Sequence, residues 1–267
     1  MTPDPISLPD DLATALAMAG ERPGIFGRRL LWYAEVGSTN DVAAALADRG
    51  EPEGTVVVAD AQSAGRGRHG RAWASPPGAG LYLSTVTRPA AHAVGLLTIA
   101  AGVAIAEGIQ AATGLQPQLK WPNDIYMDRR KLAGILAEAG TSSTGLQYVI
   151  LGCGINLMPA AYPPDVAARA TSIESELGRP IDRGLLLVQC LAALDLRYRD
   201  LQSQTRASVI DRWRDRAVST FGRRVEWDVA GVTRQGVAEN IDETGALLVR
   251  DGASRARVIS GEVRWLS

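Results

Sequence analysis

Three arginines and three glycines alternate in the segment AGRGRHGRAW, residues 64–73, which ends at Trp73. Glycines let backbone N–H groups approach an anion, and arginines add paired donors for phosphate or carboxylate. The Lys-Ser/Thr pair that completes a P-loop is missing. Apolar strands flank the segment closely, which disfavours a disordered Arg-Gly tail. The segment therefore predicts an anion site, with a solvated surface turn as the alternative.

A second segment, LKWPNDIYMDRRKLAGIL at 119–136, places lysines on both sides of a stiff polar turn. The Asn123 and Asp124 side chains of that turn can bind local backbone or a ligand. Lys131 stands at the start of an apolar strand, where its ammonium could reach a bound anion. The two arginines before it are interpreted as solvated loop residues, and a lone lysine would be interpreted in the same way.

A third segment, GCGINL at 152–157, follows a predicted strand. It fails as a dinucleotide-binding fingerprint because Leu157 replaces the third glycine and no βαβ unit follows clearly. Gly152 and Gly154 suggest close approach of the backbone to another group, with Asn156 as a polar contact. A bulge in a buried strand is the alternative.

The elements that must position these segments follow from hydrophobic periodicity. Strands are predicted at 30–36, 55–60, 81–87, 132–139 and 146–152. Helices are predicted at 38–50, 93–112, 183–201 and 208–218. In the first helix Ser38 or Thr39 can form the cap, Asp41 suits the first turn and Gly50 suits the exit. The pattern predicts an α+β fold with a mixed central β-sheet backed by helices.

The pattern changes beyond residue 220 to short strands broken by glycine and aspartate turns. Hairpin signals occur at 243–245 and 251–252. We therefore predict a first domain at 1–219 and a small β-barrel domain at 220–267.

Composition limits the classes of function. The chain has 267 residues, 46% hydrophobic and 21% charged, which is typical of a folded globular protein. Its 28 basic residues nearly cancel 29 acidic ones, so a small anion is a better ligand than a nucleic acid. Cys153 and Cys190 are far apart, which disfavours a disulfide framework or a zinc site and indicates reduced thiols.

The N-terminal segment and the apolar runs are not expected to carry a signal peptide or a membrane span. The first 21 residues have acids where a signal peptide has basic residues. The longest uncharged apolar run, 94–106, is shorter than the roughly 20 residues of a membrane span and predicts a buried helix. We expect a cytoplasmic protein without membrane contact.

The motifs GSTN, Q-x-x-GRGRHGR-x-W, KWPND, K-L-x-GIL and G-x-GIN occur here in the order typical of biotin protein ligases. The chain resembles that family over about 30–267. The resemblance implies a seven-stranded mixed sheet of the class II aminoacyl-tRNA-synthetase type with helices on one side, plus an SH3-like C-terminal barrel. It also implies an enzyme that makes biotinyl-5′-adenylate from biotin and MgATP and then passes biotin to a lysine of a carrier domain.

The resemblance also assigns residues. The implied biotin site comprises Ser38, Thr39, Asn40, Gln62, Gly65, Arg66, Lys131, Gly134, Gly152 and Gly154. The implied ATP site comprises Arg68, Arg71, Trp73, Lys120, Asn123, Lys131 and Asn156, with Trp73 as the platform for adenine. The implied catalytic groups are Lys131, Arg66, Arg68 and Asp124.

Catalysis by these groups has a physical reason, since positive charge must offset the repulsion between a carboxylate and the α-phosphate. Asp124 is expected to orient or deprotonate the carrier lysine. Mg²⁺ is expected to arrive with ATP rather than at a metal site of the protein. His69 is interpreted as a solvated loop residue, and the arginine loop is expected to close over the adenylate.

Partners follow from the same resemblance. We expect biotin and a biotin carboxyl carrier domain of biotin-dependent carboxylases as partners, and a monomer or weak homodimer. About 30 residues precede the first strand, too few for the three-helix DNA-binding module of members that are also repressors, so no DNA partner is expected. The alternatives are a lipoate or octanoate ligase of the same fold, or an Arg-Gly nucleic-acid binder, which the 5% aromatic content disfavours.

Overall fold

A seven-stranded sheet organises the larger part of the structure, a computed structural model that describes residues 3–143, 145–203, 205–229, 231–252 and 254–266. The strands run in the spatial order β1-β2-β3-β7-β6-β5-β4. Only β1 and β2 pair in parallel, and the other neighbours are antiparallel. Their bounds are β1 Arg29–Val36, β2 Thr55–Gln62, β3 Gly80–Thr87, β4 Gln118–Lys120, β5 Asp124–Met127, β6 Arg130–Ser142 and β7 Gly145–Asn156.

Six α-helices pack around this sheet within the described residues. They are α1 Asp10–Ala19, α2 Thr39–Asp48, α3 Leu97–Thr113, α4 Ile173–Leu177, α5 Arg183–Gln202 and α6 Arg206–Arg216. Strand alternation divides their contacts between two faces. Val56 and Val58 of β2 join the larger core, which includes α3, α5 and α6, whereas Val57 joins a smaller core with α2. The expected fold class is confirmed, but α2 lies on the other face, so the helices are not all on one side.

Helix α3 is the buried helix predicted from the apolar run. The stretch Ala91–Thr113, a 3₁₀ segment followed by α3, is long and apolar enough by composition to cross a membrane. Its most apolar window is nevertheless 72% buried inside the fold. Its apolarity is therefore explained by packing, chiefly against α5 and the sheet.

A second, five-stranded antiparallel sheet forms the C-terminal part, in the order β11-β10-β9-β8-β12. Its strands are β8 Arg224–Val229, β9 Val232–Ile241, β10 Leu247–Asp251, β11 Ser254–Val258 and β12 Val263–Trp265. Trp121 Nε1 donates to the Gly245 carbonyl at 2.8 Å, and Thr220 Oγ1 donates to the Leu119 carbonyl at 2.9 Å. These bonds join the C-terminal part to the β4–β5 turn and to β4, and the domain division at 220 stays a prediction.

Every strand and helix predicted from periodicity is present, with shifted ends. Strands β4 and β5 were not predicted, because three and four residues are too short for periodicity to show. Strand β7 runs through Asn156, so the GCGIN segment lies inside a strand rather than after one. Its pairing with β6 is regular from Cys153 to Ile155, which removes the predicted alternative of a bulge there.

Candidate active site

The arginine–glycine segment folds as a narrow hairpin-like loop. Trp73 N–H donates to the Gly65 carbonyl at 2.8 Å, and Gly67 N–H donates to the Arg71 carbonyl at 2.7 Å. The tip is a 3₁₀ turn in which His69 is exposed and left-handed, with φ 56°. A Cβ on Gly65 would lie 2.4 Å from the Trp73 carbonyl oxygen, so glycine is required where the two arms meet.

Each arginine of this loop is paired with oxygen atoms of the protein. Arg66 forms two hydrogen bonds with Asp41, at 2.8 and 2.6 Å. Arg68 donates to the Gly261 carbonyl at 3.1 Å and to Asn123 Oδ1 at 3.3 Å, and Arg71 donates to Glu262. The loop is therefore held by α2, by the β4–β5 turn and by the segment before β12.

Ionisation at these pairs follows their surroundings. The hydrogen bond from Arg66 lowers the pKa of Asp41, and the one from Arg71 lowers the pKa of Glu262. Burial lowers the pKa of Arg68, since desolvation disfavours its charged form. The carboxylates remain ionised at neutral pH and fix the directions of the two outer arginines.

Lys131, near the start of β6, lies in the same place, beside the β4–β5 turn. Lys131 Nζ lies 2.6 Å from Asp124 Oδ1, so two of the predicted catalytic groups form an ion pair with each other. Asn123 Nδ2 donates to the Ile135 carbonyl at 2.7 Å, which ties the turn to β6. Asp124 thus orients Lys131 here, and deprotonation of a carrier lysine by Asp124 stays a prediction.

Lys120 lies beside Trp265 of the last strand, within electrostatic reach of Asp124, Lys131 and Arg71. Its ammonium is 4.5 Å from the Trp265 ring centroid and 5.4 Å from that of Tyr126. Burial lowers the pKa of Lys120. These cation–π contacts hold the Lys120 side chain in a partly dry position, and its role toward ATP stays a prediction.

Three glycines form a floor on the α2 face of β6 and β7. Gly134 pairs with Gly154, and Gly152 lies two residues before Gly154 on β7. A Cβ on Gly154 would lie 2.5 Å from Trp73 Nε1, and one on Gly152 would lie 2.2 Å from Asn40 Oδ1. The predicted close approach to Gly152 and Gly154 is thus confirmed, and the approaching groups are the amide of Asn40 and the indole of Trp73.

Trp73 is the central side chain above this floor. The Lys131 ammonium lies 5.1 Å from its ring centroid. Trp73 Nε1 is buried and has no hydrogen-bond partner among the described residues. A buried donor without an acceptor costs about 1–3 kcal/mol, so this position favours a partner that brings an acceptor.

A polar rim borders the floor near the start of α2. Gln62 Oε1 accepts from the Thr39 N–H at 2.9 Å, and Gln62 Nε2 donates to Ser75 Oγ at 2.8 Å. Ser84 Oγ donates to Asn40 Oδ1 at 2.6 Å. Ser38 is buried, and the expected capping bond from its side chain is not formed in the described structure. Sequence analysis missed Ser75 and Ser84, although a serine within the apolar run LYLSTVT was a usable signal.

Asn156 fixes the other side of the site. It is buried, and its Nδ2 donates to the Thr171 carbonyl at 2.9 Å and to the Lys131 carbonyl at 3.4 Å. Lys131 N–H donates to the Arg169 carbonyl at 2.8 Å. Asn156 therefore supports Lys131, and its predicted contact with a nucleotide stays a prediction. Nothing in the sequence indicated that residues 169–171 would pair here.

An open groove of about 680 Å³ adjoins the polar rim. Gln62 and Ser75 belong to both, so the groove and the rim share a wall. The remaining lining is Glu35, Ala61, Ala74, Pro76, Pro77, Pro159, Ala160, Tyr162, Pro163 and Pro164.

The chemistry available at the site is cation-assisted anion binding. Arg68, Arg71 and Lys131 supply positive charge, while the rim supplies hydrogen bonds to a polar edge. The described residues include no group of three or more His, Cys, Asp or Glu side chains that could hold a metal ion. Both cysteines are buried, and burial raises the pKa of Cys153 to about 12, so neither thiol is placed as a nucleophile.

Comparison with known proteins agrees with this chemistry. The model of the biotin/lipoate A/B protein ligase family matches residues 34–156. The bifunctional ligase/repressor BirA of Bacillus subtilis is 33% identical over 97% of this chain and 80% of its own length. The biotin–[acetyl-CoA-carboxylase] ligase of Mycobacterium tuberculosis is 35% identical over 88% of each chain.

A solved structure extends the similarity to the whole fold. The biotin protein ligase of Aquifex aeolicus, in complex with biotin and ATP, superposes with a TM-score of 0.78 and 27% identity. The match covers 90% of this chain and 99% of the other. The matched family model, the relatives and the shared architecture lead to one conclusion. The chain belongs to the biotin/lipoate A/B protein ligase family, and within it to the biotin protein ligases.

Proposed function

We propose that this chain joins biotin to a carrier protein in two steps. In the first, a biotin carboxylate oxygen attacks the α-phosphorus of ATP, which forms biotinyl-5′-adenylate and releases pyrophosphate. In the second, the neutral amine of a carrier lysine attacks the acyl carbon, AMP leaves with the bonding electron pair, and the amine loses a proton. The observation that carries the proposal is the similarity to a ligase that holds biotin and ATP.

The geometry supports the first step. Two anions must approach each other, and Lys131 beside the arginine loop offers charge to offset their repulsion. Asp124 keeps the Lys131 ammonium in place, 2.6 Å away. The polar rim at Thr39 and Gln62 suits the ureido edge of biotin, and the glycine floor lets the flat indole of Trp73 lie directly against the strands.

The nucleotide end of the site rests on the loop. Arg68 and Arg71 are the candidate phosphate contacts, Asn123 and Asn156 the candidate nucleotide contacts, and Trp73 the adenine platform. Mg²⁺ would enter bound to ATP, because its preferred ligands include phosphate oxygens and water. The orphaned indole N–H of Trp73 fits a site whose ligand supplies acceptors.

The protein partner belongs to the same proposal. A carrier domain of a biotin-dependent carboxylase would present its lysine to the adenylate, as the name of the Mycobacterium tuberculosis relative suggests. We propose that the reaction takes place in the cytoplasm, as expected from the sequence.

Biotin-dependent exchange of pyrophosphate into ATP tests the first step. The full chain should exchange label with biotin and ATP and should be inactive when lipoate replaces biotin. Transfer is then tested by adding a purified biotin carboxyl carrier domain and measuring the mass of the product. Exchange with lipoate and none with biotin would replace this proposal by lipoate ligation.

A further inference from the structure

Arg66 is held by two carboxylates at a site whose ligands are themselves anions. Its guanidinium forms a double hydrogen bond with Asp41 on α2, and its Nη2 also lies 3.3 Å from Glu138 Oε2 on β6. One positive charge therefore faces two negative charges. This arrangement weakens any attraction of Arg66 for an incoming carboxylate or phosphate.

The pairing gives Arg66 a different task from that of Lys131. The two hydrogen bonds to Asp41 occupy the two Nη groups of Arg66, which would otherwise bind an anion in bidentate fashion. The Arg66 side chain thereby becomes a tie between the loop and the body of the protein. Its backbone, next to Gly65, then lies where the loop begins, close to Gln62 and Trp73.

Glu138 strengthens this tie by a second contact. Its Oε2 accepts from Asn40 Nδ2 at 2.5 Å, and the Asn40 Oδ1 accepts from Ser84. Glu138 projects from the same face of β6 as Gly134, four residues away on an alternating strand. It thus joins the start of α2, the loop and the sheet beside the glycine floor.

We propose that Asp41 and Glu138 are positioning residues that hold the arginine loop, through Arg66, against the polar rim. The proposal rests on the proposed function, because the loop must be in place for biotin to be enclosed. Each carboxylate acts through Arg66, and Glu138 also acts through Asn40.

The test uses Asp41→Asn, Glu138→Gln and the double variant in the full chain. The first readout is the rate of trypsin cleavage after Arg66, Arg68 and Arg71, followed by mass spectrometry. Because these pairs are partly exposed, we expect cleavage to be about two- to fivefold faster in each single variant and about tenfold faster in the double. Added salt should speed cleavage of the wild type by screening the pairs.

The second readout separates positioning from general stability. In the Asn and Gln variants the biotin KM should rise by a similar factor of about two to five while kcat stays within about twofold. Asp41→Glu, which keeps the negative charge, should have a biotin KM close to that of the wild type. Glu51→Gln is the matched control, since Glu51 accepts two hydrogen bonds from Arg29, at 2.6 and 2.8 Å, at another edge of the sheet. It should change neither readout.

The outcomes are distinct. Cleavage rates and biotin KM equal to those of the wild type in the double variant would overturn the proposal. Faster cleavage in a chain that shows no biotin-dependent exchange would support the tie and refute the proposed function instead.

Discussion

Gly154→Ala should displace Trp73, and the size of the effect follows from the contacts at the glycine floor. The added Cβ would lie 2.5, 2.7 and 3.0 Å from three atoms of the indole, and the first two distances are shorter than real Cβ contacts. The ring is rigid, so the whole side chain must move. Overpacking of this kind lowers the free energy of unfolding by about 1–3 kcal/mol.

Gly134→Ala is the matched control on the neighbouring strand. Its Cβ would meet Trp73 at 3.2 Å and Lys131 at 3.4 Å, which small shifts can accommodate. Alanine also restricts the unfolded chain, which stabilises the fold by about 0.4–1 kcal/mol and partly offsets the tight contact. We expect Gly134→Ala to stay within about 1 kcal/mol of the wild type.

Urea unfolding followed by far-UV circular dichroism measures these differences, and pyrophosphate exchange measures the KM for ATP. Gly154→Ala should raise that KM well beyond any effect of Gly134→Ala. Repeating Gly154→Ala in a Trp73→Ala background should abolish most of its cost, since the clashing ring is gone. An equal cost with and without Trp73 would refute the assignment of the clash.

Three further predictions concern other parts of the molecule. Lys131→Ala should lower kcat for exchange by about 100-fold or more while the free energy of unfolding changes by less than about 1 kcal/mol, because its pair with Asp124 is partly exposed; unchanged turnover would remove Lys131 from the reaction. Burial raises the pKa of Asp242, but hydrogen bonds from Arg257, Thr244 and Ala246 outweigh it and hold the pKa at about 2. Its contribution of about 1–2 kcal/mol should be complete above about pH 4 and vanish toward about pH 2, so urea unfolding of Asp242→Asn should match the wild type only in acid. Cys153, with its pKa raised to about 12, should react with a thiol reagent at about pH 8 only after denaturation, and prompt labelling of the native chain would contradict its burial.

Periodicity was sufficient for the long elements because burial repeats along them. The alternating faces of β2 and the apolar length of α3 are visible in the sequence. The position of α2 was not, since the pattern of one amphipathic helix does not say which face of a sheet it covers. Strands β4 and β5 escaped notice because three and four residues are too few for a repeat to show.

The candidate site was predictable as a set of residues but not as a set of contacts. The ordered motifs brought the loop, Lys131 and the glycines together correctly in one place. The partners of the arginines were hidden, because Asp41 and Glu262 lie 25 and 191 residues away in sequence. Asp41 was expected only to suit a helix start, and it does so while also binding Arg66.

Alternate residues of the paired strands β6 and β7 face opposite sides of the sheet, one side the candidate site and the other the main core. Gly134, Gly152 and Gly154 face the candidate site, whereas Ala133, Ile135, Cys153 and Ile155 face the main core. Inserting one residue before Gly152 would exchange the β7 members of these two sets, placing Cys153 and Ile155 on the floor and glycine in the core. The candidate site and the main core therefore constrain the lengths of β6 and β7 together. Homologues should accept insertions where β6 connects to β7, but not between Lys131 and Gly134 or within 152–156.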